Sequence, residues 1–340
     1  MDEIRIAVDA MGGDNAPQEI IKGCAEALAE GDKRVRLLII GQEDKIRAEI
    51  AKHSMDAARY EIIHAPEVIG TDEAPTEAVR RKKDSSLVVG LKLVKEKKAG
   101  AFVSAGSTGA ILTGATIIVG RIKGIERPAL ATLLPTAKSW VFVADVGANV
   151  DAKPSYLVQF AQMGSIYMES VMGIKSPSVG LVNIGAEKEK GNALTKEAYP
   201  LLETAKGFRF VGNVEPRDIP LGAVDVAVCD AFVGNVILKY SEGFAKAILG
   251  MIKEEMMAGF FTKLGALLSK PAFGRLKKRF DYKEVGGAPF LGLNGLVVKA
   301  HGSSDAKAFK NAIRQCTQFI DKDITGKIEA SVAANKTEEA

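Results

Sequence analysis

The amino-acid sequence predicts a layered α/β fold in which a mostly parallel sheet carries helices on both faces. Short apolar runs of strand length alternate with longer segments of helical periodicity over most of the 340 residues. Glycine, serine, asparagine and aspartate follow many of these runs, as they do in loops at the carboxyl ends of parallel strands. With 47% hydrophobic residues, the chain can bury the core that such a sheet requires.

The apolar runs that we predict to be strands are residues 4–8, 35–40, 60–64, 101–104, 129–134, 140–145, 178–184, 208–211, 224–229 and 296–299. The first run ends in DAMGGDNAP, where Pro17 suits the first turn of a helix. Asp9 therefore lies where open α/β sheets bind ligands, although turn formation by residues 12–15 explains this stretch equally well.

Residues 99–119 predict a strand, a tight loop and a helix in succession. In the loop, Ser104, Gly106, Ser107, Thr108 and Gly109 leave backbone N–H groups accessible at the start of a helix, which suits a phosphate. A plain turn with Ser107 or Thr108 as the helix N-cap is the other interpretation. The loop matches neither the P-loop nor the dinucleotide fingerprint.

Four basic residues precede the helix that begins near residue 86: Arg80, Arg81, Lys82 and Lys83. Such a run is usually a solvated face. Near residues 104–109, however, it would attract an anionic substrate.

Polar residues also follow strands in the second half of the chain. The strand at 140–145 ends in Asp145, Asn149 follows it, and Lys190 lies in a polar loop after residues 178–184. Asn235 and His301 come after the strands at 224–229 and 296–299. In a parallel sheet all of them would face the same edge as Asp9, where they suit the binding of an oxyanion better than a Ser-His-Asp triad.

Residues 244–283 predict an amphipathic helical hairpin that protrudes from the sheet, with Pro271 near its bend. Its apolar positions include Met257, Phe260, Phe261, Leu264 and Leu268, and basic residues Lys277, Lys278 and Arg279 follow. The hairpin would dimerise, lie on an anionic membrane surface or wall an acyl channel. We expect one α/β domain over residues 1–328, including a hairpin excursion at about 237–283, and a frayed tail over 329–340.

Composition and cysteine spacing argue against several classes of function. A net charge of +4 and 6% aromatic residues argue against a nucleic-acid partner. Cys24, Cys229 and Cys316 are too widely spaced to indicate a zinc site, and they fit a reducing cytoplasm. No apolar run has the length of a membrane-spanning helix.

Taken together, the motifs resemble those of the bacterial phosphate acyltransferases of phospholipid synthesis, which move a fatty acyl group from acyl carrier protein to inorganic phosphate. The resemblance covers nearly the whole chain in order. It rests on AVDAMGGDNAP (7–17), RKKDSS (81–86), VSAGSTGA (103–110), DVGAN (145–149), VGLVNIGAEKEKGN (179–192), VEPRDI (214–219), DAFVGNVILK (230–239), and GGAPFLGLNG with KAHGSSDA (286–306). The chain departs from that family's pattern at Ser107, Pro216 and Ala231.

This resemblance implies a fold like those of the isocitrate dehydrogenases and phosphotransacetylases, a homodimer, and no metal or organic cofactor. It also implies that a membrane glycerol-3-phosphate acyltransferase consumes the acyl phosphate, at the inner face of the cell membrane. The expected phosphate ligands are Ser104, Gly106, Ser107, Thr108 and Gly109, with Asp9 and Asn149. We expect Lys190, Asn235 and, less directly, His301 to polarise the carbonyl and steady the thiolate.

Each catalytic assignment has a structural alternative. Lys190 would be a solvated loop lysine, Asn235 a helix N-cap, and His301 a satisfied histidine. Arg80–Lys83 or the basic residues 275–279 would dock the acidic carrier protein. Rival functions are an oxidoreductase or short-chain phosphotransacylase on the same fold, and a membrane-surface adaptor without catalysis.

Overall fold

The computed structural model describes residues 3–279 and 286–338, and its elements alternate along the chain much as predicted. The strands are β1 (Ile4–Asp9), β2 (Val35–Gly41), β3 (Tyr60–His64), β4 (Ala101–Ser104), β5 (Ala129–Pro135), β6 (Trp140–Ala144), β7 (Ser178–Val182), β8 (Arg209–Val214), β9 (Val226–Val228), β10 (Ala288–Leu291) and β11 (Leu296–Lys299). The helices are α1 (Gln18–Glu30), α2 (Glu43–Ile50), α3 (Pro75–Arg81), α4 (Ser86–Lys95), α5 (Thr108–Gly114), α6 (Pro154–Met172), α7 (Ala193–Thr204), α8 (Ala231–Met256), α9 (Phe260–Arg279), α10 (Ala306–Asp321) and α11 (Ile324–Glu338). Short 3-10 turns cover Ala57–Arg59 and Ile219–Leu221, and a π-helical turn, Ala115–Val119, extends α5.

All the strands join one eleven-stranded sheet, in the order β3-β2-β1-β4-β11-β10-β5-β6-β9-β7-β8. Three neighbouring pairs, β11–β10, β10–β5 and β5–β6, are antiparallel, and the other pairs are parallel. The prediction of a mostly parallel layered sheet is therefore confirmed, but the direction of the strands reverses in the middle. As a result, β6, β9, β7 and β8 run opposite to β1, β4 and β11.

Strand β10 is antiparallel to both β11 and β5, so β5 keeps the direction of β11. The reversal therefore arises at the β5–β6 pair. Strands β5 and β6 are joined by residues 136–139 alone, where the Thr136 N–H donates to the Ser139 carbonyl at 2.9 Å. A parallel crossover needs about a dozen residues, so this short turn permits only an antiparallel pair.

Helices cover both faces of the sheet. On one face α1, α6, α10 and α11 bury apolar side chains such as Ile21, Phe160 and Phe309. On the other face α3, α4 and α5 contribute Val79, Leu91 and Ile111 to a second core. Each face thus buries one apolar stripe per helix, as a two-sided sheet requires.

Helices α8 and α9 form the segment that we predicted to be a hairpin. The chain turns at residues 257–259, where the Gly259 N–H donates to Thr262 Oγ1 at 3.0 Å. Pro271 was predicted near this bend, but it lies inside α9. The glycine and the threonine cap make the turn instead.

The segment expected to fray from residue 329 continues α11 as far as Glu338. Val332 is buried, and Gln162 Nε2 on α6 donates to Ser331 Oγ at 2.6 Å. Contacts with α6 therefore hold this part of the C-terminal helix in place.

Candidate active site

The loops that follow β1, β4 and β11 pack together at one edge of the sheet, which we call the first edge. The Asp14 N–H donates to the Gly302 carbonyl at 2.9 Å. The buried Ser104 hydroxyl donates to Asp9 Oδ2 at 2.6 Å and accepts from the Gly106 N–H at 3.0 Å. Three motifs that are far apart in sequence thus form one unit.

Gly12 shows how closely these loops approach each other. A Cβ atom at this position would lie 2.8 Å from the Gly106 backbone nitrogen and 2.5 Å from Asp9 Oδ2. Those separations are too short for any side chain, so the loop after β1 fits against the loop after β4 only with glycine here.

Asp9 is buried beneath the first edge, and its carboxylate organises the loops rather than facing solvent. It accepts from the Met11 N–H at 3.1 Å and also interacts with the Ser86 side chain. Burial raises the pKa of Asp9, while the hydrogen bonds from Ser104 and Ser86 oppose that rise. A buried carboxyl group engaged in this way positions neighbours and is poorly placed to contact a phosphate.

The turn at residues 106–109 combines the two interpretations offered for it. Ser107 is the N-cap of α5, since its hydroxyl accepts from the Ala110 N–H at 3.5 Å. The half-buried Thr108 and Gly109 then begin the helix, where N–H groups have no intrahelical acceptor. The turn is therefore both a capped helix start and a source of accessible donors.

A cationic corner lies beside this turn, at the end of β11. Lys299 is only 9% exposed, and its Nζ lies 3.4 Å from the Ala105 carbonyl oxygen and also contacts the Ala300 carbonyl oxygen. Lys239 Nζ on α8 lies 3.4 Å from His301 Nε2. Burial and the positive charge of Lys239 lower the pKa of His301.

The opposite edge, which we call the second edge, carries the carboxyl ends of β6, β7 and β9. Asp145 is fully buried and accepts five hydrogen bonds, from the Leu130, Gly147, Ala148 and Asn149 N–H groups and from Asn149 Nδ2. Burial raises its pKa, against the effect of these donors. Asn149 Nδ2 also donates to the Pro128 carbonyl at 2.8 Å, so this side chain is engaged within its own loop.

Asn235 is exposed in the second turn of α8 and lies beside the second edge. A Cβ atom on Gly147 would be 3.8 Å from Asn235 Nδ2. The N-cap alternative for Asn235 is wrong, because Asp230 caps this helix through the Val233 N–H at 2.8 Å. Its amide is thus available to a ligand.

Lys190 lies in the loop after β7 and is exposed. The loop is shaped by Asn183, whose Nδ2 donates to the Lys190 carbonyl at 3.0 Å. Within residues 3–279 and 286–338, no hydrogen bond or ion pair joins Lys190 to residues 104–109. The predicted helix cap at Asn192 is confirmed, since its side chain accepts from the Thr195 N–H at 3.0 Å.

Our prediction that all these residues face one edge is wrong, because the strands that carry them run in opposite directions. Helix α8 nevertheless joins the two edges. Asn235 beside Gly147 and Lys239 beside His301 are four residues apart, which is one turn, or about 6 Å along the axis. One face of α8 thus brings an amide from one edge close to a cation at the other.

The basic run lies close to the first edge. Helix α3 packs on α5, and a Cβ atom on Gly109 would be 2.7 Å from Pro75 Cγ. Arg81 forms an ion pair with Glu77, and Lys82 with Glu73. Arg80, Arg81 and Lys83 are exposed. The side chains of Lys277, Lys278 and Arg279 lie outside the described part of the chain.

The hairpin carries an apolar surface that begins beside the site. Phe232, Val236, Tyr240 and Phe244 are more than half exposed and recur every four residues along α8, so they share one face. The predicted positions at the far end are also exposed: Met257, Phe260, Phe261, Leu264 and Leu268. In the described residues no helix is both long and apolar enough to cross a membrane.

A cavity of about 860 Å³ lies elsewhere, between α1, α10 and Gly274. Its walls include Glu30, Asp32, Lys310 and Arg314. These charged walls do not suit an acyl chain, and we place the site at the two edges instead.

Sequence reasoning missed four residues of the first edge: Asp14 as a contact, Ser86, Lys239 and Lys299. Lys299 carried a usable signal, because a lysine that ends the apolar run LVVK is costly to bury unless it has a role. Lys239 carried no such signal in the sequence, because only the path of α8 across the sheet brings it to His301.

Solved structures share the fold. A phosphotransacetylase from Streptococcus pyogenes matches with a TM-score of 0.60 at 20% identity, over 94% of this chain and 94% of that one. A phosphotransacetylase from Staphylococcus aureus also matches with a TM-score of 0.60, at 16% identity, over 93% and 94%.

The sequence comparisons are more specific. A putative phosphate acyltransferase from Clostridium perfringens is 55% identical over 329 residues, 97% of each chain. A phosphate acyltransferase from Clostridium botulinum is 57% identical over 324 residues, 95% of this chain and 96% of that one. The family model described as fatty acid synthesis protein matches residues 4–327. This chain therefore belongs to the fatty acid synthesis protein family, and the relatives named above are phosphate acyltransferases.

Proposed function

We propose that this protein transfers a long-chain fatty acyl group from acyl carrier protein to inorganic phosphate. The product, an acyl phosphate, supplies phosphatidic acid synthesis. Family membership supports acyl transfer to phosphate. The observation that carries the proposal in the structure is helix α8, which sets Asn235 at the second edge one turn from Lys239 at the first.

The reaction does not require a strong general base. Phosphate is already substantially dianionic near neutral pH, so a phosphate oxygen attacks the thioester carbonyl carbon directly. The carbon–sulfur bond then breaks, and the carrier leaves as a thiolate. Positioning of the two substrates and stabilisation of the oxyanion are what the protein has to provide.

The phosphate cradle is assigned to residues 106–109. The Thr108 and Gly109 N–H groups begin α5 there and favour an anion. Ser104, Asp9 and Asn149 hold their loops through hydrogen bonds already described, so we assign them to positioning rather than to direct contact with phosphate. Ser107 acts through its cap of the same helix.

Asn235 is assigned to the carbonyl oxygen and Lys190 to the departing thiolate. Both are exposed, and neither side chain has a structural partner among the described residues, which is typical of groups that act on a substrate. His301 borders the phosphate side through Lys239 and is assigned a supporting role.

The acyl chain is assigned to the exposed stripe of α8. Phe232 lies in the same helical turns as Asn235, and the stripe continues through Val236 and Tyr240 to Phe244, whose ring stacks on Tyr240 at 5.7 Å. A fatty acyl chain bound along this face would be shielded from water along its length, starting at the reacting carbonyl.

The protein's partners follow from these surfaces. The acidic carrier protein is assigned to α3 and the residues directly after it, where Arg80, Arg81 and Lys83 are exposed cations beside α5. We place the protein in the cytoplasm as a homodimer, with the apolar end of the hairpin at the inner membrane surface. There a membrane glycerol-3-phosphate acyltransferase would take up the acyl phosphate.

The experiment that tests the function measures free carrier thiol released from acyl-acyl carrier protein, with and without inorganic phosphate. Release that requires phosphate is the expected result. Release at the same rate without phosphate, or none under either condition, would contradict the proposal.

A further inference from the structure

Lys299 is a buried cation that lacks the partner a buried cation normally has. It is 9% exposed, and within residues 3–279 and 286–338 its Nζ contacts only the carbonyl oxygens of Ala105 and Ala300. Among the described residues no carboxylate lies within 4.0 Å of it. Burying such a charge costs several kcal/mol unless an anion or a good ion pair compensates for it.

The surroundings of Lys299 identify where an anion would lie. The Ala105 carbonyl that it contacts immediately precedes residues 106–109, and Lys299 is paired with Ser104 in the sheet register. Lys239 approaches the same corner from α8, beside His301. Two lysines and the start of α5 therefore border one space.

Acidic groups also face this corner, and they do not neutralise both cations. Glu242 pairs with Lys239 at 3.1 Å and leaves the Lys239 side chain half exposed. Asp14 is exposed on the loop after β1, and buried Asp9 is held by Ser104. In the part of the chain that the structure describes, Lys299 is left without an ion pair of its own.

We propose that Lys299 and Lys239 bind the inorganic phosphate at the first edge, Lys299 from beneath residues 105–109 and Lys239 from α8. This inference rests on the proposed function, because it takes phosphate as the occupant. A lysine acts on phosphate as a point charge. The N–H groups of the cradle carry no full charge, and the two lysines supply it. The position of Lys239, one turn from Asn235, directs the phosphate oxygen toward the carbonyl held there.

A phosphodiester carried by the acyl carrier would also attract two lysines, so the test separates that source from free inorganic phosphate. Lys239→Gln and Lys246→Gln are compared, since Lys246 is exposed about two turns further along the same helix. For Lys239→Gln we expect KM for inorganic phosphate to rise by about ten-fold or more, with KM for the acyl carrier unchanged. Lys246→Gln should match the unsubstituted protein. An unchanged KM for phosphate, or a rise confined to the carrier, would overturn the proposal.

Lys299→Met tests the buried lysine. If Lys299 has only a structural role, the Lys299→Met variant should have a lower Tm. If Lys299 is kept for its ligand, the variant should bind phosphate more weakly, with its Tm unchanged or raised. Loss of both Tm and phosphate binding would remove Lys299 from the proposal.

Direct binding of inorganic phosphate, measured by calorimetry, keeps this test independent of turnover. Binding that depends on Lys239 would support the site even if no thiol were released, in which case only the proposed function would fail. If the unsubstituted protein bound no phosphate, or if Lys239→Gln bound it equally well, the site would be wrong.

Discussion

At the first edge a single buried hydroxyl joins the loops after β1 and β4. Ser104 donates to Asp9 and accepts from Gly106, so its loss would leave a buried carboxylate oxygen and a buried N–H with one partner fewer. The cost of such groups, about 1–3 kcal/mol each, exceeds the net value of the hydrogen bonds themselves.

Ser104→Ala should therefore lower the free energy of unfolding by about 2 kcal/mol or more. Ser107→Ala is the matched control, because it removes only a half-buried cap, worth about 1 kcal/mol. Urea unfolding measures both. Equal destabilisation by the two substitutions would contradict the organising role of Ser104.

Lys299 makes a prediction about pH. Burial lowers the pKa of Lys299 to about 8, below the ordinary value near 10.4, so between these values the unfolded chain binds more protons than the folded one. The contribution of Lys299 to the free energy of unfolding therefore rises with pH between about 8 and 10.4 and is lowest below pH 8. Relative to Lys299→Met, the unsubstituted protein should gain up to about 3 kcal/mol between pH 8 and pH 10. Urea unfolding at several pH values checks this, and parallel pH curves would refute it.

Lys190 and Asn235 carry the prediction about catalysis. Replacement of either by Ala should reduce kcat by roughly ten-fold to a thousand-fold, the usual cost of losing one oxyanion donor, with folding intact because both are exposed. Lys196→Ala, an exposed lysine on α7, serves as the control. Unchanged turnover in both variants would remove the two residues from the mechanism.

At the scale of elements, the sequence predicts most strands because each is an apolar run followed by small or polar residues. β3, β4 and β11 have the predicted bounds, and the others differ at their ends. β10 was missed because Gly286, Gly287, Gly292 and Gly295 surround its four residues. Residues 136–139 contained the signal for the antiparallel β5–β6 pair, which also determines the second edge.

The hairpin supplies the prediction at this scale. Phe260 is 80% exposed and Phe261 84%, at the end of the hairpin remote from the sheet. Phe260→Glu combined with Phe261→Glu should abolish flotation with vesicles containing anionic lipid, since two charges replace two aromatic side chains at the contact. Leu201→Glu, at an exposed position on α7, should float as the unsubstituted protein does. Unaltered flotation of the double variant would count against membrane contact through this end.

At the scale of the whole molecule, the site depends on connections that no local pattern shows. Asp9, Ser104 and Lys299 meet because β1, β4 and β11 are neighbours in the sheet order. Asn235 reaches that group only because α8 crosses from the second edge to the first. Family resemblance identified the motifs, but their grouping required the direction of every strand between them.

The central claim is that phosphate itself attacks the acyl thioester, and one measurement tests it most directly. Radiolabelled inorganic phosphate is incubated with acyl-acyl carrier protein and the enzyme, and label in the lipid product is compared with thiol released. We predict one phosphate incorporated for each thiol. Thiol release without incorporation of label would show hydrolysis by water and would contradict the account.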